Sequence, residues 1–251
     1  RPVSTHRPAG PWETAGLSYS SPMATEPALG HGHEITVGDF RGEWPLERVF
    51  GRQAPVELEL GCGKGRFIIR SAEMYPERDF LAVERANRFF RIAAERAGRR
   101  SLANLKLIRT DALELTRLVL PAASLRAVHV LFPDPWPKKR HHKRRLFRAE
   151  FAAALERILV PGGVLNVATD HAAYFSVIQD LISGREGWSR SQRFALEDRL
   201  PAGESGHTNY EVKYRREGRP IQQATWQWRG REAKDPEGTE ASSRVVEYGM
   251  K

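Results

Sequence analysis

Five acidic residues stand in or just after apolar segments, where a carboxylate could reach a bound ligand: Glu59, Glu84, Asp111, Asp134 and Asp170. A single acid after an apolar segment is common and carries little information. The repetition is informative, because ligands of doubly wound α/β proteins bind beyond the carboxyl ends of the strands. We therefore predict that these carboxylates share one ligand-binding edge.

A glycine-rich loop follows the first of these segments. Gly61, Gly63 and Gly65 come directly after residues 56–60. The dinucleotide fingerprint G-x-G-x-x-G would need its third glycine at position 66, which is Arg66. The observed spacing instead fits a nucleoside ligand without a pyrophosphate. The alternative is an ordinary tight turn between a strand and a helix.

The acids beyond this loop are placed to bind an adenosine group. Glu84, 19 residues beyond Gly65, could accept hydrogen bonds from two ribose hydroxyls, and Asp111 could accept one from an adenine amino group. The N-terminus of the following helix would favour a ligand carboxylate. These features favour S-adenosylmethionine as the cofactor. Cys62 has no histidine near it in the sequence, so we predict a packing residue and not a nucleophile.

A proline-stiffened turn carries the residue best suited to catalysis. In Phe132-Pro133-Asp134-Pro135-Trp136 the prolines restrict the backbone on both sides of Asp134. A dense cationic run, residues 138–145, follows at once. A carboxylate held rigidly beside a surface that could bind a polyanion indicates chemistry on a nucleic acid. The plainer alternative is a loop followed by a solvated charge run.

The composition fits an anionic partner. The 251 residues carry 40 Lys and Arg against 31 Asp and Glu, a net charge of +9. A single cysteine excludes a disulfide framework and a cysteine-rich zinc site, and His31 and His33 lack a third ligand nearby, so no metal is expected. No segment is typical of a signal peptide or a membrane span, so we expect a cytoplasmic protein without a membrane partner.

Strands alternate with helices along the middle of the chain. Predicted strands cover residues 56–60, 80–84, 105–109, 125–132 and 164–168, and predicted helices cover 66–74, 87–97, 111–120, 146–159 and 174–182. This alternation predicts βαβ units and a mostly parallel sheet. Residues 188–196 and 224–228 are predicted strands without a long helix between them, which indicates an antiparallel edge.

We divide the chain into three parts. Residues 1–50 are predicted to be a flexible N-terminal arm, although Trp44 and Phe50 are expected to pack on the domain that follows. Residues 51–229 form the predicted folded domain, and residues 230–251 a polar C-terminal tail. The sequence leaves open whether the protein is a monomer or a homodimer.

Together these motifs resemble the bacterial tRNA (guanine-N7)-methyltransferases over about residues 56–228. The glycine motif is generic to methyltransferases, whereas FPDPW followed by KKRHHKRR, and Ala168-Thr169-Asp170, are more specific. The resemblance implies a Rossmann-like class I methyltransferase fold, with a mostly parallel seven-stranded sheet, helices on both faces and an antiparallel C-terminal edge. It also implies methyl transfer from S-adenosylmethionine to guanine N7 in the variable loop of tRNA, at position 46.

The resemblance further implies roles for particular residues. The cofactor pocket would contain Glu59, Gly61, Gly63, Gly65, Glu84, Asp111 and Asp134, and Asp134 would also be catalytic. Lys138 and Asp170 would contact the substrate, and the RNA would be held by Arg140, His141, His142, Lys143, Arg144 and Arg145. A family string, Thr-Lys-Phe-Glu, corresponds to the substrate-binding candidates Thr208, Asn209, Tyr210 and Glu211, of which the two middle residues differ.

Plainer roles and other functions remain open at this point. Asp170 could cap the next helix, Glu59 could pair with a local base, and Thr208 and Glu211 could belong to an ordinary polar loop. An amino-group methyltransferase is one alternative, although the double proline of its motif is absent. A non-enzymatic RNA-binding protein with a vestigial pocket is another, and a dehydrogenase, disfavoured by Arg66, is the third.

Overall fold

The computed structural model describes residues 33–35, 44–199 and 206–230. Most of the predicted arm, and the predicted tail from residue 231 onward, lie outside these described residues. No helix within them is long and apolar enough to cross a membrane.

Eight strands form one sheet in this described part of the chain. They are β1 (Glu34–Ile35), β2 (Val56–Leu60), β3 (Asp79–Val83), β4 (Leu105–Ile108), β5 (Leu125–Leu131), β6 (Leu159–Thr169), β7 (Trp188–Arg190) and β8 (Gln222–Trp228). Their order is β1-β4-β3-β2-β5-β6-β8-β7. The pairs among β1 to β6 are parallel, and β8 pairs antiparallel with β6 and β7. The predicted α/β fold with an antiparallel C-terminal edge is confirmed, with eight strands in place of seven.

Helices cover both faces of the sheet. They are α1 (Leu46–Phe50), α2 (Arg66–Met74), α3 (Asn87–Gly98), α4 (Ala112–Glu114), α5 (Ala149–Ile158), α6 (Ala172–Ser183) and α7 (Asn209–Arg216). A π-helical turn, Leu115–Val119, extends α4, and 3-10 turns form at Lys139–Arg144 and Glu197–Arg199.

Strands β2 to β5 are buried on both faces, which explains why most of their residues are apolar. On one face, Leu58 of β2 shares a core with α5 and α6. On the other face, Phe80 of β3 shares a core with α2 and α3. Strand order reverses beside β2, because β3 and β4 lie on one side of it and β5 and β6 on the other. The carboxyl ends of these five parallel strands meet at one edge, where such sheets bind ligands.

The predicted flexible arm contains folded elements. β1 pairs with Leu107 and Ile108 of β4. Leu46 and Val49, three residues apart on α1, are buried in the core, and Trp44 is buried beside them as predicted. The prediction of flexibility is therefore wrong for residues 33–35 and 44–50, because their few apolar side chains pack on the sheet.

The C-terminal third differs most from the prediction. The strand predicted over residues 188–196 ends at Arg190, and the chain then turns towards the 3-10 turn at Glu197–Arg199. Helix α7 was not predicted, because Glu211 is its one buried residue and the helix has no apolar face. The predicted helix over 146–159 ends at Ile158, so the Pro-Gly-Gly sequence at 161–163 lies inside β6 and does not terminate the helix.

Candidate active site

The loop between β2 and α2 has a conformation that glycine favours. Gly61, Gly63 and Gly65 have φ angles of 79°, 55° and 74°. A Cβ at Gly65 would lie 2.9 Å from Ile69 Cδ1 and 3.2 Å from Ala93 Cβ, so this glycine allows α2 to pack on α3. A Cβ at either of the other two would meet no described atom within 4 Å. The loop therefore borders open space at the strand ends.

Glu84 connects the ends of β2 and β3. Its Oε2 accepts a hydrogen bond from the Gly63 backbone nitrogen at 2.9 Å, and its Oε1 accepts one from the Ala86 nitrogen at 2.7 Å. A carboxylate has about four acceptor positions, so each oxygen keeps one for a ligand hydroxyl. The two backbone amides fix the carboxylate at the position predicted for ribose binding.

Glu59 lies beneath the loop on β2 and is 2% exposed. Burial raises its pKa to about 8, a hydrogen bond from the Ile68 backbone lowers it, and the charge of Glu84 raises it further. Its Oε2 is buried and has no hydrogen-bond partner among the described residues. A buried carboxyl oxygen without a partner is costly unless a ligand satisfies it. This position therefore fits a cationic ligand group.

Cys62 lies in the loop close to both acids. Burial raises the pKa of its thiol well above the ordinary value, and the charges of Glu59 and Glu84 raise it further. A buried, protonated thiol is a poor nucleophile, which agrees with the predicted packing role. Within residues 33–35, 44–199 and 206–230, no group of three or more His, Cys, Asp or Glu side chains could hold a metal ion.

Asp111 is the N-cap of α4. Its Oδ1 accepts hydrogen bonds from the backbone nitrogens of Leu113, at 2.9 Å, and Glu114, at 3.2 Å. Its Oδ2 lies 3.7 Å from Nη1 of the exposed Arg85. One oxygen therefore starts the helix, and a ligand amino group would compete for the other only with a loose surface ion pair.

The turn at the end of β5 is strained. Phe132 and Trp136 have φ angles of 58° and 43°, which bulky side chains rarely adopt. The Phe132 nitrogen donates to the Ala168 carbonyl at 2.7 Å and anchors the turn to β6. Asp134, between them, is exposed, and no described residue hydrogen-bonds or ion-pairs with its carboxylate. Two strained residues around an unpaired carboxylate indicate a turn held for function.

Three aromatic rings border this turn. The ring of Phe132 lies 5.6 Å from that of Tyr214 and 6.3 Å from that of Tyr210, and the two tyrosine rings are 6.0 Å apart. Tyr210 is 47% exposed. Exposed aromatic faces stack on nucleobases. The structure thus brings Tyr210, a substrate-binding candidate, close to the turn that contains Asp134.

Thr208 and Glu211 form a cap at the start of α7. Thr208 Oγ1 accepts from the Glu211 nitrogen at 3.0 Å, and Glu211 Oε2 accepts from the His207 nitrogen at 2.8 Å. Both side chains are buried, whereas Asn209 and Tyr210 are exposed. The predicted polar loop is therefore a helix cap, and it presents the two residues that differ from the family string.

Asp170, after β6, forms an ion pair with Arg219 at 3.0 Å. The alternative that it caps α6 is wrong, because His171 is the N-cap and its Nδ1 accepts from the Tyr174 nitrogen at 3.1 Å. Arg219 also stacks over Tyr214 at 4.6 Å. Asp170 is thereby connected to the aromatic rings beside Phe132.

The cationic run folds back onto the turn. Arg144 stacks over Trp136 at 5.0 Å. Arg145 donates to the Pro135 carbonyl at 2.8 Å and lies over Tyr174 at 4.7 Å. The exposed members of the run are Lys138, Lys139, Arg140, His142, Lys143 and Arg144, while His141 is half-buried. Arg145 therefore supports the turn, and the exposed residues remain accessible to a polyanion.

A buried ion cluster beneath the site was not predicted. Glu57, on β2, accepts hydrogen bonds from His129 Nε2 at 2.9 Å and from Arg199 at 2.6 and 2.9 Å. Burial acts to raise the pKa of Glu57, but the Arg199 charge and the hydrogen bonds from His129 and Arg199 outweigh it and hold the pKa well below its ordinary value. No described base forms an ion pair with Glu59, whereas Glu57, two residues before it on β2, binds both His129 and Arg199.

The cluster continues across the sheet through polar residues at paired positions. His129 on β5 pairs in register with Asn166 on β6, which pairs with Thr225 on β8. Asn166 Nδ2 lies 3.2 Å from His129 Nδ1, and Thr225 donates to Asn166 Oδ1 at 2.6 Å. Polar residues within mostly apolar strands, such as His129 in β5 and Asn166 in β6, are the sequence signal that could have revealed this row.

Comparison with known proteins agrees with this geometry. A family model described as a putative methyltransferase matches residues 53–224. The chain is 45% identical over 146 residues to the tRNA (guanine-N(7)-)-methyltransferase of Halorhodospira halophila, covering 57% of this chain and 62% of that protein. It is 36% identical over 187 residues to the protein of the same name from Nitrosococcus oceani, covering 70% of this chain and 77% of that protein.

A third relative and one solved structure extend the comparison. The tRNA (guanine-N(7)-)-methyltransferase of Mycobacterium avium is 39% identical over 178 residues, covering 70% of this chain and 68% of that protein. The crystal structure of the 16S rRNA methyltransferase KamB matches with a TM-score of 0.53 at 17% identity, covering 73% of this chain and 92% of that one, and supports the fold alone. Because the family model covers more than half of the sequence, the chain belongs to this methyltransferase family, that of the tRNA (guanine-N(7)-)-methyltransferases.

Proposed function

We propose that this chain transfers the methyl group of S-adenosylmethionine to N7 of a guanine in tRNA, at variable-loop position 46 as the family resemblance implies. One observation carries the proposal. The glycine loop with Glu84, at the ends of β2 and β3, shares a sheet edge with the strained turn that holds Asp134 at the end of β5.

Residues of β2, β3 and the start of α4 would hold the donor. The remaining lone pairs of Glu84 fit two ribose hydroxyls, and Asp111 Oδ2 fits the adenine amino group. The unpartnered Oε2 of Glu59 fits the ammonium of the methionine part. When bound, the cofactor supplies a methyl group activated by a sulfonium.

Asp134 is the residue we assign to catalysis. Guanine N7 has a lone pair and no proton, so the acceptor needs no general base. Methylation places positive charge on the imidazole ring of the base, and a fixed carboxylate stabilises that charge. The prolines and the Phe132 anchor hold Asp134 before the substrate arrives, so little ordering remains to be done in the reaction.

The RNA would be bound by the rings and cations around the turn. Tyr210 offers an exposed face for stacking on the target base, and we assign Asn209, Lys138 and Asp170 to polar contacts with the substrate. The exposed side chains of residues 138–145 would neutralise phosphates, which gives affinity without sequence information. Selectivity would then come from RNA shape. A tRNA substrate would place the protein in the cytoplasm.

The test is to incubate the protein with labelled donor and unmodified tRNA and to map the labelled nucleotide. Cleavage chemistry selective for N7-methylguanine is expected to report one guanine in the variable loop. Label on an exocyclic amino group would favour an amino-group methyltransferase. Binding of tRNA without transfer would favour a non-enzymatic RNA-binding protein, and either result would overturn the proposal.

A further inference from the structure

A second cationic surface lies on the opposite side of β2 from residues 138–145. Those residues follow β5, whereas α2 and α3 connect β2 to β3 and β3 to β4. A groove of about 370 Å³ runs between α2, α3 and the start of α7. We call it the α2–α3 groove. It is lined by five arginines and one glutamate: Arg66, Arg70, Arg96, Arg99, Arg100 and Glu73.

The five arginines of the groove outnumber the one glutamate that lines it. Arg100 pairs with Glu73 at 2.6 Å, and Arg99 pairs with a glutamate one turn earlier on α3. Arg96 instead donates to the backbone oxygen of Lys64 in the glycine loop at 3.1 Å, and no carboxylate of the described residues forms an ion pair with it. The groove therefore carries net positive charge.

The groove adjoins the candidate active site. Two of its lining residues belong to that site, Gly65 at the end of the glycine loop and the exposed Asn209 beside Tyr210. A polyanion with a base at Asp134 would meet residues 138–145 on one side of the strand ends and the groove on the other. One small anion would engage one or two of these arginines, whereas five arginines along α2 and α3 suit several phosphates of an extended chain.

We propose that the α2–α3 groove binds backbone phosphates of the substrate RNA, as a contact separate from residues 138–145. The identity of the RNA rests on the proposed function. Guanidinium groups suit this role, because their planar donors bind phosphate oxygens in pairs and stay charged at any physiological pH.

The test compares two double variants that remove the same charge. Arg96→Gln with Arg99→Gln alters the groove. The control, Arg117→Gln with Arg229→Gln, alters exposed arginines on the π-helical turn and after β8. Affinity for unmodified tRNA is measured by fluorescence anisotropy over a potassium chloride series, donor affinity by calorimetry, and methyl transfer in single turnovers at saturating tRNA.

The groove variant should bind tRNA at least about tenfold more weakly at low salt. The slope of log affinity against log salt should fall by about one per arginine. Donor affinity and the rate at saturating tRNA should match wild type, and the control should keep the wild-type slope. A groove variant with the slope and affinity of the control overturns the inference.

The single variant Arg99→Gln and the methylation activity of wild type distinguish the remaining outcomes. Arg96 contacts the glycine loop, so the double variant could also lose donor affinity. In that case Arg99→Gln alone must still lower the slope of log tRNA affinity against log salt by about one. An unchanged slope in this single variant overturns the inference. If wild type binds tRNA but does not methylate N7, the proposed function fails while the slope comparison still decides the groove. If wild type methylates N7 normally and the groove variant keeps the wild-type salt slope, the groove inference is refuted and the proposed function stands.

Discussion

The carboxylate of Glu57 on β2 and the guanidinium of Arg199 are 142 residues apart in sequence and form a two-point ion pair, with N–O distances of 2.6 and 2.9 Å. Arg199 is 8% exposed and also stacks over Tyr75 at 4.9 Å. The pair fastens the segment after β7 to the centre of the sheet. The pair thereby joins the 3-10 turn at Glu197–Arg199 to β2.

Removing the guanidinium of Arg199 should destabilise the fold. We expect Arg199→Ala to lower the free energy of unfolding by up to about 3–5 kcal/mol, because the buried carboxylate of Glu57 then keeps only Arg78, at 3.0 Å, and His129 as partners. Urea denaturation measures the change. Arg216→Ala, at an exposed position of α7, is the control and should change stability by no more than about 0.5 kcal/mol. Equal losses in the two variants would show that the buried pair contributes nothing.

Glu59 should link donor binding to pH. Its carboxyl, with a pKa of about 8 against an ordinary 4.5, binds more protons in the folded than in the unfolded state between these values. Without donor, the free energy of unfolding should therefore fall as the pH rises from about 4.5 to about 8. A donor ammonium that ionises Glu59 releases a proton, so donor affinity should rise with pH by up to about tenfold per unit below pH 8.

Calorimetry in buffers of different ionisation enthalpy measures that proton release. The control is Glu59→Gln, which keeps the shape of the side chain and removes its titration. This variant should release no proton from position 59, and its donor affinity should vary less with pH. If proton release in Glu59→Gln equals that of wild type, another group is responsible for the linkage.

Glu84 should contribute to donor affinity without affecting RNA binding. We expect Glu84→Ala to weaken donor binding by about 1.5–3 kcal/mol, the range for lost hydrogen bonds to a charged group. Glu84→Gln, which keeps one acceptor oxygen for the Gly63 amide or a hydroxyl, should lose less. Calorimetry on the folded variants tests both, and unchanged donor affinity in Glu84→Ala would remove this residue from the pocket.

Arg144 and Arg145, neighbours in the cationic run, should have different roles. Arg144 is exposed, so Arg144→Gln should lower the slope of log tRNA affinity against log salt by about one. Arg145 holds the Pro135 carbonyl, so Arg145→Gln should mainly lower the methyl-transfer rate by loosening the turn. Salt titrations and single-turnover rates check both variants. The reverse pattern would mean that Arg145 faces the RNA and Arg144 is structural.

The parts of the site that could be predicted are local in sequence. Glu84 follows its strand directly, and the glycine spacing at 61, 63 and 65 is visible without any tertiary information. The Glu57–Arg199 pair could not be predicted, because nothing near Glu57 indicates a partner 142 residues away. Helix α7 was missed for a different reason. Glu211 is its one fully buried residue, with Val212 and Tyr214 half-buried, so the helix has no continuous apolar stripe that a sequence pattern could reveal.

Asp134→Asn tests the residue assigned to catalysis, because it keeps the size of the side chain and removes its charge. If the carboxylate stabilises the cationic imidazole, the single-turnover rate at saturating donor and tRNA should fall by about 10²–10³. Affinity for tRNA should hardly change, since we assign it to the exposed cations within residues 138–144 and to the α2–α3 groove. Asp180→Asn, at an exposed position of α6, is the control and should leave the rate unchanged. If Asp134 only shapes the turn between the two prolines, asparagine should serve nearly as well. A near-normal rate in Asp134→Asn would therefore assign the residue to structure.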